Sequence, residues 1–163
     1  MSAKDKKDAA LEAILDHLLE KGLEDTGIRS LARSAGISDR MLIYYFGSKE
    51  ALITEALDAL SERTSLGLAM LIDDGRHDAD AIMAVLDGAM EIPQFENAMK
   101  LFLEVAARGA RGIEPYRSSA RTTIAFWMAW LEDRLEEVPG GPTPYEHLVN
   151  VEGRILLSLI ERG

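Results

Sequence analysis

The sequence predicts an all-α protein, on three observations. Apolar residues recur at helical spacing along nearly the whole chain, and glycine and proline fall between those segments. No alternating apolar–polar run of strand length interrupts them, and there is no internal repeat or low-complexity segment. The pattern divides into a three-helix head, residues 1–47, and a helical body, residues 48–163.

The first helix is expected over 5–21, with Ala10, Leu11, Ile14, Leu15, Leu18 and Leu19 as its apolar stripe and Gly22 at its end. Glu12, Asp16 and Glu20 recur on its solvent side. The preceding Lys4-Asp5-Lys6-Lys7 reads as a solvated terminus, the alternative being a flexible arm that touches DNA. Thr26 is placed to cap a second helix over 27–34, its hydroxyl accepting a free backbone N–H. Ile28, Leu31, Ala32 and Ala35 give that helix one buried face, and Gly36 stands where the chain must turn. Ser38 caps a third helix, 38–45, carrying Leu42, Ile43 and Phe46. Two short helices around a glycine turn make a helix-turn-helix, a unit that puts its second helix into the DNA major groove.

A fourth helix is expected from Ser48 to Ile72, where Asp73-Asp74-Gly75 stops it. Leu52, Ile53, Ala56, Leu57 and Leu60 pack it inward, so it joins head to body. Helices follow over 78–91 and 94–109, parted by Pro93, then from Pro115 to Glu137, and a last one over 145–161 after the loop Pro139–Pro144. The last two are apolar over too wide an arc for a surface helix. One side must face the body, and a second copy of the chain would cover the other in a four-helix bundle; the alternative is a monomer that buries both. Ile124, Met128, Leu131, Val151, Ile155 and Leu159 are the candidate dimer residues, and Gly153 would permit close approach.

On the head, Thr26, Arg29, Ser38, Asp39, Arg40, Met41, Tyr44, Tyr45 and Lys49 are the candidate DNA contacts. Recognition helices present their N-terminal residues to base edges, which favours Ser38, Asp39, Arg40 and Met41 for readout. Arg40 can bond guanine bidentately and Met41 can touch a thymine methyl, while Asp39 either accepts from cytosine or simply starts the helix. Tyr44, Tyr45 and Lys49 suit phosphates, assisted by the N-terminus of the fourth helix.

These residues resemble the N-terminal domain of the tetracycline-repressor-like (TetR) family. Leu31-Ala32, Ala35-Gly36-Ile37-Ser38, Tyr44-Tyr45-Phe46 and Ser48-Lys49-Glu50-Ala51-Leu52 fall in the family's order. The chain departs from it at Ile43, where the family usually has a tyrosine, and at Tyr45, where it has a histidine. The chain is short for the family, implying a body reduced by a helix. The resemblance implies a homodimeric repressor released from a pseudo-palindromic operator in double-stranded DNA by a small-molecule effector. It also implies a pocket among the body helices, for which Met83, Met90, Phe95, Met99, Phe102, Glu104 and Trp127 are the candidates, although an ordinary core needs the same apolar residues. Glu104, if it faces inward, needs a partner such as Arg108. The rival functions are a constitutive DNA-binding protein without effector control and a dimeric ligand- or protein-interaction module with a vestigial head.

Charge and composition narrow the classes. The net charge is −10, yet residues 1–50 hold eight Lys/Arg against nine Asp/Glu, so the net negative charge lies almost wholly in the body. Lys4, Lys6, Lys7, Arg29, Arg33, Arg40 and Lys49 are placed where a phosphate-facing surface would need them, and weak non-specific binding with a steep salt dependence is expected. The absence of cysteine excludes disulfides and thiolate metal sites and is compatible with a reducing cytoplasm, the expected location. No apolar run is long enough to span a membrane. His17, His77 and His147 lack metal-ligand spacing, and there is no glycine-rich phosphate loop or nucleophile elbow. No cofactor, metal or enzyme activity is expected.

Overall fold

Side-chain caps start most of the helices. Ser2 Oγ accepts the Asp5 N–H at 3.1 Å and the Asp5 carboxylate accepts the Ser2 N–H at 2.7 Å, a reciprocal capping box that also holds the Asp5 carboxyl below its ordinary value. The first helix therefore begins at Ala3, and Lys4-Asp5-Lys6-Lys7 forms its first turns rather than a loose terminus or arm. The computed structural model describes residues 2–162 as α1 (Ala3–Lys21), α2 (Ile28–Ser34), α3 (Asp39–Phe46), α4 (Lys49–Ala69), α5 (Ala79–Ala89), α6 (Pro93–Ala110), α7 (Tyr116–Arg134) and α8 (Pro144–Arg162). Ser38, Ser48 and Asp78 cap α3, α4 and α5 through the N–H groups of Met41, Ala51 and Ala81. The α2 terminus departs from expectation. Its N-cap is Gly27, and Thr26 is buried with its hydroxyl donating to the Leu23 carbonyl at 3.3 Å. That hydroxyl closes the turn out of α1 instead of capping α2.

Two other boundaries move for identifiable reasons. The expected continuation of α4 to Ile72 becomes a tight turn, in which the Leu71 and Ile72 N–H groups both reach the Leu68 carbonyl and Ile72 is buried. The expected run of α7 to Glu137 ends at Arg134, because the next residues turn extended and pair with the α4–α5 loop. The His77 N–H donates to the Arg134 carbonyl at 2.7 Å and the Glu136 N–H to the His77 carbonyl at 2.9 Å. That isolated bridge apart, the described residues are helical or irregular. No helix among them is long and apolar enough to cross a membrane.

One continuous core runs through head and body. Ile14, Leu15 and Leu18 of α1, Leu31 of α2, Leu42 of α3 and Leu52 of α4 are completely shielded from solvent. Further along α4, Leu57 and Leu60 pass into the body, where Leu101, Val105, Trp127 and Trp130 are buried. The head touches the body a second time through α1 and α6. There the Glu104 carboxylate accepts the Leu23 N–H at 2.8 Å and Arg108 Nη2 donates to the Leu23 carbonyl at 2.9 Å. Arg108 was expected to neutralise Glu104; its guanidinium instead serves Leu23, donates to the Tyr116 hydroxyl at 3.3 Å and lies over the Tyr116 ring at 5.0 Å.

Ion pairs link α1 to α4: the half-buried Lys7 with Glu55 at 2.8 Å, and the exposed Arg63 with Glu12 and Asp16. Such pairs contribute little beside apolar burial. Urea unfolding is expected to show Leu42→Ala losing about 2–5 kcal/mol, as for a fully buried leucine, and Lys7→Ala losing under about 1 kcal/mol.

Candidate nucleic-acid interface

The turn between α2 and α3 is closed by two backbone bonds. Gly36 donates to the Arg33 carbonyl at 3.1 Å and Ile37 to the Ala32 carbonyl at 3.0 Å, the Schellman pairing that requires a left-handed residue at the glycine. Gly36 supplies it with φ +65°. Leu31 and Ala32 on α2 and Leu42 and Phe46 on α3 are buried, which fixes the rotation of α3 about its axis. Leu42 and Phe46 are four residues apart, so the opposite crest carries Arg40 and Tyr44. Tyr44 is 74% exposed and Arg40 is exposed.

The flanks of α3 differ in chemistry. On the α2 side Asp39, Arg40 and Ile43 face Gly27, Ile28 and Arg29 across an open concavity. Arg29 Nε lies 3.9 Å from Asp39 Oδ2, a loose pair between two exposed groups. On the other flank stand Met41 and the half-buried Tyr45, whose ring packs edge-on against Phe46 at 6.4 Å. Ser38 is exposed and its oxygen caps α3; Lys49 opens α4 directly after the Ser48 cap and adds its charge to the free N–H groups there.

Arg29, Ser38, Asp39, Arg40, Met41, Tyr44 and Lys49 thus lie on or beside one surface, with Tyr45 partly sunk at its margin. Thr26 does not join them, being only 4% exposed and hydrogen-bonded inward. Ile43, absent from the candidate contacts, joins this surface: it is 38% exposed and faces the concavity beside Arg40. The signal was present, since a helix whose inner face is set by Leu42 and Phe46 turns Ile43 about 100° away.

The body holds an apolar cavity of about 40 Å³ between α4, α6 and α7. Its walls are Leu57, Leu60, Ser61 and Thr64 of α4, Ala98, Met99, Leu101, Phe102 and Val105 of α6, and Ser119, Thr123, Phe126 and Trp127 of α7. Met99, Phe102 and Trp127 of the candidate pocket set are among them. Met83, Met90 and Phe95 lie outside this lining, and Glu104 points from another face of α6 to Leu23. The lining is uncharged, with four hydroxyls as its polar groups. Ser61 and Thr64 already donate to carbonyls of their own helix, and the Ser61 and Thr123 oxygens are 3.4 Å apart. Nothing in the sequence separated these lining residues from core, because both require the same residue types.

The outer face of α8 is apolar, whereas α7 exposes Ile124, Ala125 and Ala129 among Arg117, Arg121, Thr122 and Glu132. Of the candidate dimer residues, Leu131, Val151 and Ile155 are buried within the chain, Met128 and Leu159 are half-buried, and Ile124 is 44% exposed. The exposed stripe on α8 is Tyr145, Val149, Leu156 and Ile160, with Gly153 beside it, and α7 presents Ala125 and Ala129 one turn apart. Within the α8 stripe, burial pushes the Glu152 carboxyl above its ordinary value, with no neighbouring cation to offset its lost hydration.

Comparison with known proteins finds relatives for the head and for the fold. The family model described as bacterial regulatory proteins, tetR family, matches residues 10–56. The HTH-type transcriptional regulator BetI of Proteus mirabilis (strain HI4320) is 31% identical over 104 residues, covering 60% of this chain and 50% of BetI. The HTH-type transcriptional regulator RutR of Escherichia coli (strain K12) is 44% identical over 52 residues, 32% of this chain and 24% of RutR. The chain thus spans about half the length of the BetI relatives it matches. A crystal structure from Rhodococcus sp., described as a TetR-family transcriptional regulator, shares the fold at a TM-score of 0.70 and 21% identity, over 99% of this chain and 89% of that one. The family match covers the two short helices and the turn whose crest carries Arg40 and Tyr44, so residues 10–56 are similar to the DNA-binding head of the tetR family of bacterial regulatory proteins.

Proposed function

We propose that this protein is a DNA-binding transcriptional regulator, acting as a homodimeric repressor that an uncharged, largely apolar small molecule releases from its operator. The observation that carries the reading is the crest of α3, where Arg40 and Tyr44 stand free of the core on a helix oriented by Leu42 and Phe46. Arg40 is suited to a guanine edge, Ile43 and Met41 to thymine methyl groups, and Tyr44 and Lys49 to phosphate oxygens. Two such heads, paired through the outer faces of α7 and α8, would meet successive major grooves about 34–36 Å apart on a pseudo-palindromic site. Ala125, Ala129 and Gly153 favour close approach of the paired helices.

The cavity supports effector control by its position. It lies against α4, which leads directly to Lys49. Its 40 Å³ is far below the roughly 300–1,000 Å³ of pockets for drug-sized ligands. A ligand would therefore part α4 from α6 and α7 to enter, and so bind one head arrangement more tightly than the other, which is the condition for coupling. The same small volume favours a second reading, a constitutive DNA-binding protein of this fold.

Operator titrations at several salt concentrations test the reading head. Arg40→Ala is expected to cost about 1–3 kcal/mol on the preferred site and relax its base preference, whereas Lys49→Ala weakens all sequences alike and lowers the salt slope by about 1. Unchanged binding in both variants would overturn the assignment. Sedimentation tests the dimer: Leu156→Glu is expected to run as a monomer with unaltered helix content. A carboxyl whose value is raised by burial binds a proton more readily in the buried state, so its charge penalty operates above that value and is relieved as pH falls through it. Pairing of the α8 stripes would bury Glu152 further, so the dimer is expected to tighten as pH falls through the raised value, and Glu152→Gln to abolish that dependence.

A further inference from the structure

We infer that Glu104 and Arg108 are positioning residues for DNA reading, which lock the angle of the head on the body and thereby set the half-site spacing that the dimer accepts. The inference rests on the dimeric, two-half-site reading above.

The chain passes between head and body only once, from α3 into α4, and a unit held at one place can pivot. The α1–α6 contact supplies the second attachment. Apolar packing is non-directional and permits small slides, whereas hydrogen bonds weaken steeply as they bend. Glu104 and Arg108 hold the N–H and the C=O of one residue, Leu23, and so fix its orientation as well as its distance. Leu23 is 1% exposed, so little water is at hand to replace either bond. Arg108 is itself braced by the Tyr116 ring and hydroxyl.

The bonds continue toward the reading surface. The Leu23 carbonyl takes a second donor, the buried Thr26 hydroxyl, and the next residue, Gly27, is the N-cap of α2. A continuous series of bonds thus runs from Arg108 through Leu23 and Thr26 to the start of the helix that carries Arg29. Gly22 makes the grip possible. Its φ of +66° disfavours any side chain, and an added Cβ would lie 2.1 Å from Glu104 Oε1. On the body side, α6 also walls the cavity at Met99, Phe102 and Val105, so the grip and α4 attach the head through two of the three helices that enclose it.

The test uses the full-length chain and an operator selected by wild type from a random-sequence DNA duplex library. The spacer between half-sites is then lengthened and shortened by single base pairs, each about 3.4 Å. Dissociation constants are measured on every spacer and on an isolated half-site, for wild type, Glu104→Ala, Arg108→Ala and Gly22→Ala. Wild type is expected to lose about tenfold or more per base pair of misfit, and the variants under about threefold, with half-site affinity retained. Arg108→Lys, which keeps the charge but not the fork that bridges Leu23 and Tyr116, is expected to fall between; it carries the test should the other variants fail to fold. Folded variants that lose thermal stability yet keep the wild-type spacing profile would show a purely structural grip and overturn the inference alone. A wild type indifferent to spacing would overturn the dimeric reading and this inference with it.

Discussion

Helices of seven and eight residues do not persist in water by themselves, because each spends most of its length on a costly nucleus. α2 and α3 exist because Leu31, Leu42 and Phe46 are buried against the longer α1 and α4. Everything else in the molecule follows from that dependence. The scaffold that makes the short helices stable also sets which of their residues look outward, so stability and readout are decided by the same contacts. It reaches the body through both of its long members, α4 by continuation and α1 by its packing on α6.

Charge is distributed to suit that arrangement. The acidic body carries nearly the whole net charge, while the head is close to neutral and sets Arg29, Arg40 and Lys49 on or beside its outer surface. A phosphate backbone would repel the body and tolerate the head, which orients an encounter before any contact forms. The loose Arg29–Asp39 pair moderates the local positive potential and holds neither partner tightly.

Buried polar groups divide between scaffold and coupling. Thr26 and Glu104 were both singled out as candidate contacts, to DNA and to an effector, and both turn inward to the residue that ends the α1 turn. Their side chains satisfy backbone groups that burial would otherwise strand without water. An inward-facing polar residue on a helix between apolar neighbours answers to such a demand as readily as to a ligand. Only the position of the distant Leu23, 81 residues from Glu104, distinguishes the two.

Local information sufficed for much of this protein. The all-α class, the turn at Gly36, the cap Ser38, the start of α4 near Ser48 and the inner face of α3 follow from 3.6-residue periodicity, capping and glycine stereochemistry, which act within a few residues. The outward set Arg29, Asp39, Arg40, Tyr44 and Lys49 was legible for the same reason, since a helix with a fixed inner face has a fixed outer one. Thr26 and the ends of α4 and α7 were decided by contacts that arrive from elsewhere in the chain. The lining of the cavity and the split of α8 into an inner and an outer apolar face were also tertiary outcomes. A buried leucine, a cavity wall and an interface residue have the same chemistry; what separates them is which other segment the fold brings opposite, and that is a property of the assembled chain.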